Sequence, residues 1–375
     1  MGAAPSTAPR GVTSPLIPRI RALPLRPSAS SHSAPAVFTL NFTHQQKNHA
    51  LPAGQRYAAP RAEGFRDTPA TELRSLIAEL DTGRPWREAV AARYAATNHW
   101  LYRIVADPSR TAFFEQVLPR GQGPVLDIGA GWGQIARPLA KTRPVVALEP
   151  VAERLAFIEA AARQDGVHEQ IAYVEADYLE VDFTDGFEAI CAIGVLEWAG
   201  AFQNHTDPQQ RQLDFLRKVR RELIPGGALV IGIENRLGLK YLLGCPDDHL
   251  GVPHIGYLPA ALARQRWAEQ GHTLQSFTYS QAELEKILRS VGFTQIEFYA
   301  AWPDYKLPTQ IISLKDEGRP LHDWLQHQNP PAEHNGYDGS PLEARLQENL
   351  TALYRSLAAD GLARNFVPSF FIRAS

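Results

Sequence analysis

Three acidic residues and a run of glycines raise the first chemical question. Asp127 opens the stretch Asp127-Ile-Gly129-Ala-Gly131-Trp-Gly133, Glu149 follows Gly129 by 20 residues, and Asp177 is followed directly by Tyr178. Glycines at this spacing let a backbone turn tightly and let a ligand approach with no Cβ in the way. A carboxylate at Glu149 can accept hydrogen bonds from both hydroxyls of a ribose. A carboxylate at Asp177 can accept from the amino group of an adenine, and the Tyr178 ring beside it can stack on the base. One such acid is an ordinary loop residue, but three, each placed after a successive apolar run, describe a nucleoside site.

A second group of residues could act on whatever that ligand carries. Asp247, Asp248, His249 and His254 stand close together in a polar, aromatic stretch. His249 titrates near neutral pH and, with Asp248 beside it, is the candidate general base. The same pair would also serve as a plain loop-stabilising contact. The spacing of the four residues matches no standard zinc pattern, so no metal site is expected. Asn235 and Tyr241 at the start of this stretch, and Tyr305 within Trp302-Pro-Asp304-Tyr305-Lys306-Leu-Pro308, are the candidate contacts to a substrate.

The elements that must position these groups alternate. Apolar strands are expected at 125–128, 144–148, 171–174, 187–193, 228–233 and 295–300, with helices at 134–142, 151–164 and 209–223 between them. Ser280 with Glu283 three residues on forms a capping box for a further helix. Strands alternating with helices in this way imply an α/β fold with a doubly wound, mostly parallel sheet. Ligands of such sheets lie at the carboxyl ends of the strands, where Asp127, Glu149 and Asp177 all fall. The antiparallel strand that completes the sheet is expected at 368–373, with 309–314 as the other candidate.

The pattern resembles the class I S-adenosylmethionine-dependent methyltransferases over roughly Trp86 to Ala301. The resemblance implies a Rossmann-like, seven-stranded sheet and S-adenosylmethionine as cofactor, with S-adenosylhomocysteine as product. It places the cofactor against Asp127, Gly129, Ala130, Gly131, Gly133, Glu149, Pro150, Asp177 and Tyr178, with Gly194 and Val195 near its methionine part. Leu-Ile-Pro-Gly-Gly at 223–227 also matches a common feature of the family. Gly131, Gly133 and Ala136 satisfy a relaxed dinucleotide-binding motif as well, so an NAD(P)-dependent oxidoreductase is the rival. Asp127 at the end of the first strand, Asp177 and the Pro-Gly-Gly weigh against that rival. A non-catalytic scaffold would not need all three acids.

Length and composition bound the rest. The 375 residues carry a formal net charge of -2, unlike a chain built to grip a phosphate backbone, so no nucleic-acid partner is expected. No apolar run approaches the roughly 20 residues of a membrane span. Cys191 and Cys245 are too few and too far apart for a disulfide framework, which suits a reducing, cytoplasmic setting. Residues 1–62 contain no Asp or Glu, seven Arg or Lys and nine Pro. They read as a disordered tail, or as an organelle-targeting peptide, against which the prolines argue. The expected organisation is therefore a disordered or targeting segment over 1–66, a helical extension over 67–122, the cofactor-binding domain over 123–314 with an insertion at 235–279, and a helical segment with a final strand over 315–375.

The fourth-strand segment Gly194-Val-Leu-Glu-Trp198 lacks the Asn/Asp-Pro-Pro-aromatic sequence of enzymes that methylate base or amide nitrogens. The expected reaction is methyl transfer to an oxygen, less readily a nitrogen, of a small-molecule or glycan-like acceptor. Glu-Asn-Arg-Leu-Gly-Leu-Lys-Tyr together with Pro-Asp-Tyr-Lys-Leu-Pro resembles a bacterial subgroup that accompanies surface-polysaccharide and glycan synthesis, which implies a sugar hydroxyl. The N-terminal composition departs from that subgroup and leaves N-methylation of a natural product or peptide as the alternative.

Overall fold

A computed structural model describes residues 38–59, 65–202, 207–331 and 346–375. Twelve strands appear among them. They are β1 (Thr39–His44), β2 (Lys47–Pro52), β3 (Arg56–Ala58), β4 (Val125–Ile128), β5 (Val145–Leu148), β6 (Ile171–Glu175), β7 (Val181–Phe183), β8 (Phe187–Ile193), β9 (Leu223–Glu234), β10 (Ile296–Trp302), β11 (Gln310–Ser313) and β12 (Ser369–Ala374). Nine of them form one sheet in the order β11-β10-β12-β9-β8-β4-β5-β6-β3. The β9, β8, β4, β5, β6 and β3 ladders are parallel, and those of β12 with β9, β10 with β12 and β10 with β11 are antiparallel. The fold is thus the α/β, mostly parallel sheet that the alternation implies. It carries an extra strand at each edge, β11 and β3, beyond seven.

The parallel strands read as unbroken apolar runs because both of their faces are covered. Every residue of β4 and of β5 is buried. The covering helices are α1 (Ala70–Asp81), α2 (Trp86–Tyr94), α3 (His99–Ala106), α4 (Ser109–Ala112), α5 (Phe114–Val117), α6 (Ala136–Leu139), α7 (Ala152–Gln164), α8 (Pro208–Glu222), α9 (Leu239–Leu242), α10 (Ala260–Ala268), α11 (Gln281–Ser290), α12 (Arg319–His327) and α13 (Leu346–Ala359). Ser280 caps α11 with Glu283 in the expected capping box. The helix after the glycine loop is only one turn long, shorter than the periodicity of 134–142 suggests, and Pro138 lies inside it. Pro225-Gly226-Gly227 lies within β9, where Pro225 and Gly226 are exposed and the strand is buried from Gly227 on. Both candidates for the antiparallel strand are strands: 369–374 enters between β9 and β10, and 310–313 pairs outside β10.

The N-terminal boundary requires correction. Residues 1–37 and 60–64 lie outside the described residues, but 39–58 form three strands rather than a tail. Leu40, Phe42 and His44 alternate inward along β1, the period of a half-buried strand. Phe42 packs edge-on against Tyr57 and near Phe183. β1 pairs with both β2 and β7. The low acidic content and the prolines average over a long segment and conceal these twenty structured residues. No helix among the described residues is long and apolar enough to cross a membrane.

Candidate active site

The glycine loop follows β4 and turns through Gly129 (φ 64°) and Gly131 (φ 56°), a backbone that side chains with a Cβ rarely adopt. It is tied to the next strand twice. The Ala130 amide bonds the Leu148 carbonyl at 3.0 Å, and the Gly131 amide donates to the Glu149 carboxylate at 2.8 Å. Glu149 also accepts from the Val151 amide at 3.0 Å. Burial raises the Glu149 pKa, against the pull of Arg154 and these two amides. A carboxylate offers about four lone-pair positions, so two amides leave capacity for further donors.

Asp127 stands elsewhere than expected. It is buried beneath the loop rather than on the cavity wall. Burial pushes its pKa up to about 7, opposed by Arg110 and by a hydrogen bond from the Ala136 amide. Its place is that of a brace under the loop. Gly133 is also off the wall and packs on Ile158 and Arg137.

Two adjoining cavities open at the carboxyl ends of the strands. The first, about 160 Å³, is lined by Gly129, Glu149, Pro150, Asp177, Tyr178, Gly194 and Val195. Asp177 also accepts from the Leu179 amide at 2.8 Å. The Tyr178 hydroxyl points away, donating to the buried Glu222 at 2.7 Å. The second cavity, about 440 Å³, runs on past Gly129, Ala130, Gly131 and Gly194 to Glu197, Glu234, His249 and Tyr305. Phe65, Arg154 and Trp198 border both. Asp67 accepts from the Trp132 indole at 3.2 Å and pairs with Arg154 at 2.8 Å, which fastens the segment before α1 over the glycine loop.

At the far end of the larger cavity, His249 Nε2 lies 3.7 Å from Glu197 Oε1 and 3.6 Å from Glu234 Oε2. Its Nδ1 lies 3.5 Å from Asp247 Oδ1. Burial opposes a charge on His249, yet Glu234, Asp247 and Glu197 hold its pKa well above the usual imidazole range. Glu197 and Glu234 are each 1% exposed, and Oε2 of each has no hydrogen-bond partner. Burial raises the Glu197 pKa. Lys306 bonds the other oxygen of Glu234. The Trp198 ring meets His249 edge-on at 5.0 Å.

Several substrate-side expectations are corrected. The partner of His249 is Asp247, not Asp248. Asp248 lines the cavity but is engaged by Lys240 at 2.7 Å and by the Tyr241 hydroxyl. Lys306 and Lys240 overcome its burial and hold it below the usual carboxylate range. Tyr241 is buried as that partner and is absent from the cavity wall. Asn235 is fully buried and spends its amide on the Asn365 and Val367 carbonyls, so it stitches β9 to the segment before β12. Tyr305 does line the cavity, with its hydroxyl 3.4 Å from Glu197 Oε1. His254 is exposed and shares no site with Asp247, Asp248 and His249.

Glu197 and Glu234 were not singled out from the sequence. The rule that selects Asp127, Glu149 and Asp177, an acid at the carboxyl end of a parallel strand, selects these two as well when applied to the fourth and fifth strands. Lys306 and Trp198 carry no such signal; they reach the site through the path of the chain.

Residues 126–231 match a family described as a methyltransferase domain. The match spans the glycine loop, Glu149, Asp177, β8 and the Pro-Gly-Gly of β9. The chain carries an S-adenosylmethionine-dependent methyltransferase domain over these residues. None of the curated proteins matches the sequence. Among solved structures, the CcbJ methyltransferase of Streptomyces caelestis is similar at 17% identity, covering 54% of this chain and 88% of that one, with a TM-score of 0.37. Phosphoethanolamine N-methyltransferase 2 of Haemonchus contortus, solved with S-adenosyl-L-methionine, is similar at 15% identity, covering 80% and 59%, with a TM-score of 0.38. YjhP of E. coli is similar at 16% identity, covering 74% and 95%, with a TM-score of 0.40.

The residues of this methyltransferase fit its cofactor. Glu149 retains acceptor capacity beside the smaller cavity, Asp177 stands at the same wall, and Gly129 borders both cavities with Gly131 on the larger.

Proposed function

We propose that this methyltransferase acts on a hydroxyl oxygen of a small or sugar-like acceptor held in the larger cavity. Glu149, Pro150, Asp177 and Tyr178 would hold the adenosine part of the cofactor, and Gly129, Gly131, Gly194 and Val195 its methionine part. The cofactor, when bound, supplies an electrophilic methyl group on a sulfonium. The protein then has to align the acceptor, exclude water and take a proton. The observation that carries the reading is the position of Glu197: a buried carboxylate with a free oxygen, beside His249, on the wall of the cavity that continues from the glycine loop. A carboxylate made more basic by burial is suited to accept a hydroxyl proton. His249, beside Glu197 on the same wall, would lie against the acceptor oxygen. About 440 Å³ shared with the end of the cofactor leaves room for one sugar ring or a phenol, rather than an extended polymer.

A second reading is methylation of an amine, as in a natural product or peptide. It is favoured by the two free carboxylate oxygens, which would pair with an ammonium group. The test is transfer of tritiated methyl from S-adenosylmethionine to a panel of sugars, phenols and amines. Label in a hydroxyl acceptor supports the first reading, and label confined to amines supports the second. Glu197→Gln should slow transfer while leaving S-adenosylhomocysteine affinity intact; an unchanged rate removes Glu197 from the chemistry.

A further inference from the structure

Glu197, Glu234 and His249 come from three separate places: the turn after β8, the end of β9, and the loop after α9. Each offers a ligand atom within 4.8 Å of the other two. The approaches of 3.6 and 3.7 Å are too long for hydrogen bonds. They suit two ligands on one metal ion, since bonds of about 2.0–2.2 Å put neighbouring ligand atoms about 3–3.6 Å apart. Because Glu234 Oε1 is taken by Lys306, it is the unpartnered Oε2 that faces His249. In Glu197 it is Oε1 that approaches His249, and Oε2 has no partner at all. Such orphaned buried oxygens call for an explanation.

The surroundings are also those of a metal ligand set. Asp247 Oδ1 faces Nδ1 of His249 and is itself fixed by the His249 and Leu250 amides at 2.8 and 2.9 Å. A carboxylate that holds one ring nitrogen, turning the other toward the ion, is the usual outer support of a metal-bound histidine. Lys240 and Lys306 neutralise Asp248 and one side of Glu234, while Tyr305 approaches Glu197. The two glutamates are buried within a few ångströms of each other, and carboxylates brought together away from water are costly unless a cation joins them.

We propose that Glu197, Glu234 and His249 form a divalent transition-metal site at the acceptor end of the cavity. One imidazole and two carboxylates suit Mn²⁺, Fe²⁺ or Zn²⁺ better than a soft or an all-oxygen-seeking ion. Three protein ligands leave coordination positions toward the cavity, where oxygens of an acceptor would complete the shell. The site is independent of which acceptor the enzyme uses.

The test uses the full chain, stripped with a chelator and then titrated with Mn²⁺ while the electron paramagnetic resonance signal of the free ion is followed. The protein should bind Mn²⁺, and His249→Ala and Glu234→Gln should each abolish that binding. Asp247→Asn should weaken it by about 10–100-fold. S-adenosylhomocysteine titration of each variant reports whether the fold and the cofactor site are intact. An unmodified protein that binds S-adenosylhomocysteine but not Mn²⁺ overturns the proposal and leaves the acceptor reading standing. So does Mn²⁺ binding that persists in His249→Ala and Glu234→Gln.

Discussion

The Glu149 carboxylate accepts the Gly131 amide at 2.8 Å, so one residue both fixes the glycine loop and faces the cavity beneath it. The two duties separate by substitution. Glu149→Ala should lower S-adenosylhomocysteine affinity by at least about tenfold, roughly 1.4 kcal/mol, because the loop loses its tie and the ribose its acceptor. Glu149→Gln keeps one acceptor oxygen and should fall between. Calorimetric titration of the three proteins decides it, and equal affinities would remove Glu149 from the cofactor site.

Asp127 makes stability depend on pH. Its folded-state pKa is raised to about 7, above the ordinary carboxylate value. The folded protein therefore holds a proton that the unfolded chain releases at lower pH. The contribution of this group is fully present below about pH 4 and is lost as pH rises through about 7. A displacement of that size corresponds to about 4 kcal/mol. Asp127→Asn should flatten the fall in urea-unfolding stability between about pH 4 and 7. A slope identical to that of the unmodified protein would place the titration elsewhere.

Tyr178 contributes its ring to the smaller cavity and its hydroxyl to Glu222. Tyr178→Phe should leave S-adenosylhomocysteine binding unchanged. It should lower stability by about 1–3 kcal/mol, the cost of leaving a buried acceptor short of a donor. Denaturant unfolding and ligand titration on one preparation give both values.

Gly194 sits at φ 72°, and a Cβ there would come within 2.9 Å of the Tyr305 hydroxyl oxygen. Gly194→Ala should strain the backbone by about 1–3 kcal/mol and displace Tyr305 from Glu197. A variant of full stability, measured by thermal unfolding, would show that the Tyr305 ring yields freely.

The parallel core and the cofactor side were legible in the sequence because their signals are local. Asp127, Glu149 and Asp177 each follow an apolar run, and the chain direction alone puts such residues at one edge of a parallel sheet. Even there, sequence did not distinguish a residue that lines a cavity, such as Glu149, from one that braces a loop, such as Asp127. The acceptor side is assembled over long separations. Asp248 adjoins His249 in sequence, but it is Asp247 that reaches the ring, while Asp248 reaches Lys240. Asn235 and Tyr241 are polar enough to suggest substrate contacts, and the fold uses both as internal hydrogen-bonding groups. In β1, only the alternation of Leu40, Phe42 and His44 signals a strand, and the surrounding composition masks it.

The three-residue strand β3 has a use out of proportion to its length. It pairs along β6, and the amides of Gly54 and Ala59 extend the pairing at both ends to the Ile171 and Glu175 carbonyls. Without it, the backbone of β6 would be an open edge onto which a strand of another molecule could add. Shortening the chain to begin at Phe65, as its proline-rich composition invites, would keep the glycine loop and the whole cavity wall from Phe65 onward. It would also uncover β6 and β7. Such a shortened protein would bind its ligand and still be lost to aggregation, so any trimming that aims at a well-behaved sample should stop before Thr39.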